Sequence, residues 1–126
     1  MRRVLSCLAV VAASFLLANT ANGQTLSITG PCPGVRTATV TGVSPFAPVY
    51  FLRAFGTGSA VIPTNFICAG TVLGLNNTAV FAGLTTADAF GNATMTAFVP
   101  RQGCSGLVWI QAFDGSTCLT TNVVPL

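Results

Sequence analysis

The sequence predicts an all-β protein, two antiparallel sheets packed face to face, on three observations. Gly, Pro and Asn punctuate it about every 8–12 residues, the spacing of short strands joined by tight turns. Thr and Val dominate between those marks, and both suit a pleated surface. After residue 23 no stretch holds a helical apolar period, so no helix is expected there.

The elements follow in order. Thr25 to Thr29 reads as a first strand, with Leu26 and Ile28 facing one way and polar neighbours the other. "GPCPG" turns the chain. Val35 to Val43 alternates, with Val35, Thr37, Thr39 and Thr41 on one face and Arg36, Ala38, Val40 and Gly42 on the other. "SPFAP" makes the next corner. Val49 to Phe55 is a third strand, carrying Tyr50, Leu52 and Ala54 opposite Phe51, Arg53 and Phe55. Gly56 to Ala69 is looser, with a short edge strand around Ala60 to Ile62, and "GTVLGL" (70–75) reads as another strand ended by Asn76-Asn77. Ala79 to Thr86 and Ala93 to Val99 flank "ADAFGN", which reads as a hairpin that Asp88 opens and for which Gly91-Asn92 supply positive φ. Leu107 to Phe113 and Cys118 to Val124 form a last hairpin around Asp114-Gly115. In Leu107 to Phe113 both faces are largely apolar, which predicts a central strand covered on both sides. The best fit is an immunoglobulin-like sandwich of about seven to nine strands.

The first residues read as an address. Met1-Arg2-Arg3 is a basic start, Val4 to Ala18 is almost wholly apolar, and "NTANGQT" places small residues where a signal peptidase acts. A secretory signal over 1–23 is expected, leaving 24–126 as a single disulfide-stapled domain. The apolar run falls short of the roughly 20 residues that span a membrane, so no membrane span is expected after cleavage. Most of that run follows Cys7, whereas a lipoprotein signal places it before the acylated cysteine, which excludes a lipoprotein reading. The remaining charges are Arg36, Arg53 and Arg101 against Asp88 and Asp114, a formal +1. Scattered arginines make no basic footprint, so nucleic acid is not an expected partner.

Cys32, Cys68, Cys104 and Cys118 remain in the domain. An even count in a small exported chain reads as two disulfides. No C-x-x-C pair and no histidine supports a metal site instead. Counting strands that alternate up and down favours Cys32–Cys104 with Cys68–Cys118. Cys32–Cys68 with Cys104–Cys118 stays open if the last hairpin is bent.

Chemistry is sparse. The acids Asp88 and Asp114 lie in turns, where Asp bonds its own backbone, and no histidine or lysine stands ready to activate a Ser or Thr. No catalytic residue, metal or cofactor is expected. Asp88 and Asn92 offer calcium too few oxygens. "GTG" at 56–58 lacks the rest of a phosphate loop. Sequons stand at Asn76-Asn77-Thr78 and Asn92-Ala93-Thr94. Trp109 and Tyr50 could stack on sugars, but their place in core strands favours burial. Phe46, Phe66 and Phe90 fall in loops and are the candidate contact surface.

"GLVWIQAF" followed by "LTTNVVPL" resembles the closing strands of a secreted bacterial β-sandwich surface module, in which a "LYLQA"-type strand precedes a "SNAL"-type strand. "TTADAFGNATMTAFVP" resembles that module's "ADAxGN" hairpin and "CAGTVLGL" its cysteine-led strand. The similarity covers roughly Cys68 to Leu126 well and the first half loosely, with Phe90 departing from the usual small or polar turn residue. It implies a fold and no catalytic residues. The expectation is a non-catalytic secreted or cell-envelope module, structural or adhesive, acting through its surface on an envelope component, a polysaccharide or itself. The alternative is an extracellular carbohydrate- or ligand-binding module.

Overall fold

Alternation of apolar and polar residues sets seven strands in the computed structural model of the protein, which describes residues 23–126. The signal read over 1–23 lies, Gly23 apart, outside the described residues. The strands are β1 (Thr25–Thr29), β2 (Gly34–Thr41), β3 (Pro48–Ala54), β4 (Val80–Thr86), β5 (Ala93–Val99), β6 (Trp109–Asp114) and β7 (Val124–Pro125). They form two antiparallel sheets, one ordered β1-β2-β5 and the other β4-β3-β6-β7. The expected two-sheet sandwich is the observed fold. A 3-10 turn at Arg101–Cys104 is the helical element among the described residues.

Period-two alternation sends Leu26, Ala38 and Val40 inward from the three-stranded sheet to meet Val49, Phe51, Ile110 and Ala112 from the four-stranded one. Val40, Val49, Phe51 and Ala112 are wholly buried. Each large side chain there contributes about 1.5–3 kcal/mol through burial.

The structure corrects three local readings. The "ADAFGN" turn forms, but its flanking strands do not pair. β4 pairs with β3, and β5 pairs with β2 in the other sheet. Ala87 enters the core, and its N–H donates to the Ala47 carbonyl at 2.8 Å, so the chain crosses between sheets. Turn residues dictate a local reversal, whereas the partner a strand takes depends on which neighbour offers a matching buried face. β4 and β5 therefore meet across the gap between sheets. A Cβ at Gly83 would fall 2.2 Å from the Met95 sulfur, so a larger residue there would have to displace the Met95 side chain.

The segments read as strands at 60–62 and 70–75 are instead two arms of one flap. They touch through single bridges, Thr57 to Leu75 and Val61 to Val72. Gly58, Pro63, Gly70 and Gly74 interrupt both arms too often for a ladder to extend. The last hairpin is also shorter than expected. β7 spans two residues, and the Thr121 hydroxyl takes the Ala112 N–H at 3.0 Å where a strand would offer a carbonyl.

Two disulfides are present, Cys32–Cys104 and Cys68–Cys118, with Cα separations of 5.7 and 5.4 Å. This is the pairing that strand counting favours. Cys32–Cys104 ties the β1–β2 turn to the 3-10 turn, and Cys68–Cys118 ties the flap to the turn after β6.

Candidate functional site: an apolar groove on the four-stranded sheet

The outer face of the four-stranded sheet is as apolar as its inner face. On β3, Tyr50 and Leu52 point outward; on β6, Trp109 and Phe113 do the same. β4 would place alternate residues there, but the ladder skips Ala82, pairing Phe51 with Gly83 and Leu52 with Phe81. That bulge brings both Phe81 and Leu84 to the outer side. Tyr50 stacks on Phe113 with ring centroids 5.0 Å apart and meets Phe81 edge-on at 6.2 Å.

The flap covers part of this face. Ile62, Leu73 and Leu75 descend from it onto Ala54 and Phe113, making a second apolar cluster outside the sandwich. Its arms are held by Ala60 N–H to Leu75 O at 2.9 Å and Leu73 N–H to Ala60 O at 2.7 Å. Gln111, nearly fully buried, anchors it. Its Oε1 accepts the Gly74 N–H at 2.9 Å, and its Nε2 donates to the Thr121 carbonyl at 2.8 Å. Cys68–Cys118 fixes the flap's far end, with both cysteines in the left-handed region at φ 60° and 62°.

The cover is incomplete. Between the flap and β4 lies a groove of about 660 Å³, with Tyr50, Leu52 and Phe113 lining it from the sheet, Ile62 and Phe66 from the flap and Phe81 from β4. Asn77 and the Tyr50 phenol are its polar side-chain groups, and no charged side chain lines it. Such a surface can hold apolar groups and aromatic rings. It offers little to orient a polar substrate.

The structure distributes the sequence-predicted contact residues between two places. Phe66, 61 % exposed, lines the groove. Phe46 and Phe90, 68 % and 86 % exposed, lie at the opposite kind of site, a pair of loop tips gathered by Asp88. The Phe46 N–H donates to the Asp88 carbonyl at 3.2 Å, and the Phe90 N–H to Asp88 Oδ1 at 2.8 Å. Tyr50 and Trp109 are half-buried on the outer face, so their strands are central while their rings belong to the second cluster and not to the inter-sheet core. The groove residues Leu52, Phe81 and Phe113 escaped the sequence reading. The signal was available in the two-sided apolar character of β3 and β6, but not the identity of the cover.

Both carboxylates are engaged in turns. Asp88 Oδ1 also accepts the Asn92 N–H at 3.0 Å. Asp114 is fully buried. Its Oδ1 accepts the Ser116 N–H at 2.7 Å and hydroxyl at 2.6 Å, and its Oδ2 accepts the Ser44 N–H at 2.8 Å. Burial alone would raise its pKa; the bonds from Ser116 and Ser44 outweigh that and lower it from 3.8 to about 2. Among the described residues no three His, Cys, Asp or Glu side chains gather as a metal site. In the sequons, Asn76 Oδ1 accepts the Thr78 N–H at 3.0 Å, and Asn92 is exposed.

The other sheet turns a different face outward. Ser27, Thr39 and Thr94 stand in one row and Thr29, Thr37 and Thr96 in the next, a tile of hydroxyls without a charged side chain that gives way at one end to exposed Val35 and Phe98. Comparison of the chain with protein-family models, with curated proteins and with solved structures finds no match.

Proposed function

We propose that this chain is a non-catalytic, immunoglobulin-like module of the cell exterior that works through the outer face of its four-stranded sheet. The connectivity supports the immunoglobulin-like reading: it differs from the constant-type order in that β4 has moved to the sheet of β3. The observation that carries the function is the groove, a large apolar surface left uncovered on a domain with little else exposed that could do chemistry. Two disulfides and the signal-like start support export. Among the described residues no helix is long and apolar enough to cross a membrane. The resemblance of the closing strands to secreted surface modules points the same way.

The test is binding of the folded protein to an envelope fraction of its host. Phe66→Ser and Phe81→Ser are expected to weaken binding severalfold, and Asp88→Asn to leave it unchanged. Loss with Asp88→Asn alone, or turnover of envelope material, would overturn the proposal. Carbohydrate binding is the second reading, favoured by the exposed Phe81 ring beside the Tyr50–Phe113 stack. Saturable glycan-array binding abolished by Phe81→Ser would promote it.

A further inference from the structure

The two disulfides stand in different surroundings. All four cysteines are partly exposed, so access to a reductant does not separate them. Their backbone and their support do. Cys32 lies in the turn between β1 and β2, and Cys104 in the 3-10 turn that follows β5. β1, β2 and β5 pair along their lengths in one sheet, so the ladders keep these two cysteines close whether or not the bond between them is made. Cys68 and Cys118 hold φ at 60° and 62°, in the left-handed region that a residue with a Cβ enters at a cost. Cys32 and Cys104 do not. Such a conformation persists only where the surroundings impose it.

Cys68 sits in the tip of the flap, residues 63–70, all of them exposed except Cys68 itself. Among the described residues the backbone hydrogen bonds of this tip stay within the flap. The Phe66 N–H donates to the Pro63 carbonyl at 3.1 Å, the Gly70 N–H to the Ile62 carbonyl at 2.9 Å and the Thr71 N–H to the Cys68 carbonyl at 3.1 Å. Gln111 and the bridges at Thr57–Leu75 and Val61–Val72 hold the arms of the flap and not its tip. The covalent tie from tip to sandwich is Cys68–Cys118.

We propose that Cys68–Cys118 is a redox catch on the groove: a dithiol opens it before Cys32–Cys104, and the flap tip then swings clear of the outer face. One thiolate of the dithiol attacks a cystine sulfur, breaks the S–S bond and forms a mixed disulfide, while the displaced cysteine leaves as a thiolate and takes a proton. The second thiol attacks the mixed disulfide and releases the other cysteine. The dithiol is thereby oxidised to a disulfide, and the cysteine pair gains two electrons and two protons. Opening lets both residues leave the left-handed region, and strained disulfides are the labile ones. It also lets the two thiols drift apart, which lowers their effective concentration and disfavours reclosure. Phe66 and Ile67 line the groove from the tip, so its release removes one wall and leaves Tyr50, Leu52 and Phe113 open to a larger partner. That consequence for binding rests on the reading above that this face is the working surface; the order of reduction does not.

Graded reduction of the disulfide-bonded protein with dithiothreitol tests it, with alkylation and peptide mass mapping at each concentration. Cys68 and Cys118 are expected to label at about tenfold less dithiothreitol than Cys32 and Cys104. Over the same range, before Cys32–Cys104 opens, chymotrypsin cleavage after Phe66 is expected to accelerate severalfold while β1 and β2 stay uncut. Equal labelling of the two pairs, or earlier labelling of Cys32 and Cys104, overturns the proposal. So does selective opening of Cys68–Cys118 with no faster cleavage after Phe66. Each of these results leaves the envelope-binding proposal standing if Phe81→Ser still weakens that binding.

Discussion

The outer faces of the two sheets are built from the same kind of strand and end in opposite states. On the three-stranded sheet, Ser27, Thr39 and Thr94 form one of the hydroxyl rows that face solvent without cover. On the four-stranded sheet, Tyr50, Leu52, Phe81 and Phe113 hold the equivalent positions, and a flap stapled by Cys68–Cys118 closes over part of them. Threonine keeps strand propensity while giving water a partner, so those rows need no cover. An apolar face needs a cover, and an incomplete one leaves a binding surface. The proposed function is placed on the four-stranded sheet because of this difference.

The sharpest way to probe that contrast is to remove one buried side chain from beneath the cover. Leu75→Ala, under the flap, is expected to cost about 2–5 kcal/mol by creating a cavity, read as a shift in the urea midpoint. Thr39→Ala on the tile is expected to move stability by less than about 0.5 kcal/mol. Comparable effects at the two positions would erase the distinction between the faces.

Opening the staple comes next. Replacing Cys68 and Cys118 together by Ala is expected to destabilise by about 2–4 kcal/mol. Limited proteolysis should then cut within 56–79 while β1 and β2 stay intact. Unchanged resistance of the flap would show that Gln111 and the apolar contacts hold it alone.

Asp114 joins the turn after β6 to the corner before β3, so it supports both faces and serves as a common reference. Its folded pKa, about 2, lies below the ordinary 3.8. The stabilisation is therefore complete above about pH 4 and is lost as pH falls through 2, a change on the order of 2 kcal/mol. Asp114→Asn should flatten that part of the pH–stability curve, measured by thermal unfolding between pH 2 and about pH 5. A curve that keeps its slope in the variant would assign the acid sensitivity elsewhere.

Much of this architecture is legible in the residues. Alternation placed β1, β2 and β3 within a residue or two of their observed ends, because each has one clearly buried face. The two-sided apolar run of β6 announced a cover on both faces. What covers the outer side could not be read, since Gly56 to Ala79 follows no period and its position depends on Gln111 and on a disulfide to a distant turn. The hairpin at "ADAFGN" misled for a related reason. Asp88 and Gly91 shape the reversal locally, while Ala87, small enough to enter the core, carries the chain to the other sheet. The groove followed from both of these and so was hidden with them.

Hydrogen–deuterium exchange, compared with and without envelope fraction, tests the two-faced account most directly. The account predicts protection gained along β4 and in the flap, with β1, β2 and the β5 tile unchanged. Protection gained on the threonine tile, with β4 exchanging as freely as before, would contradict it.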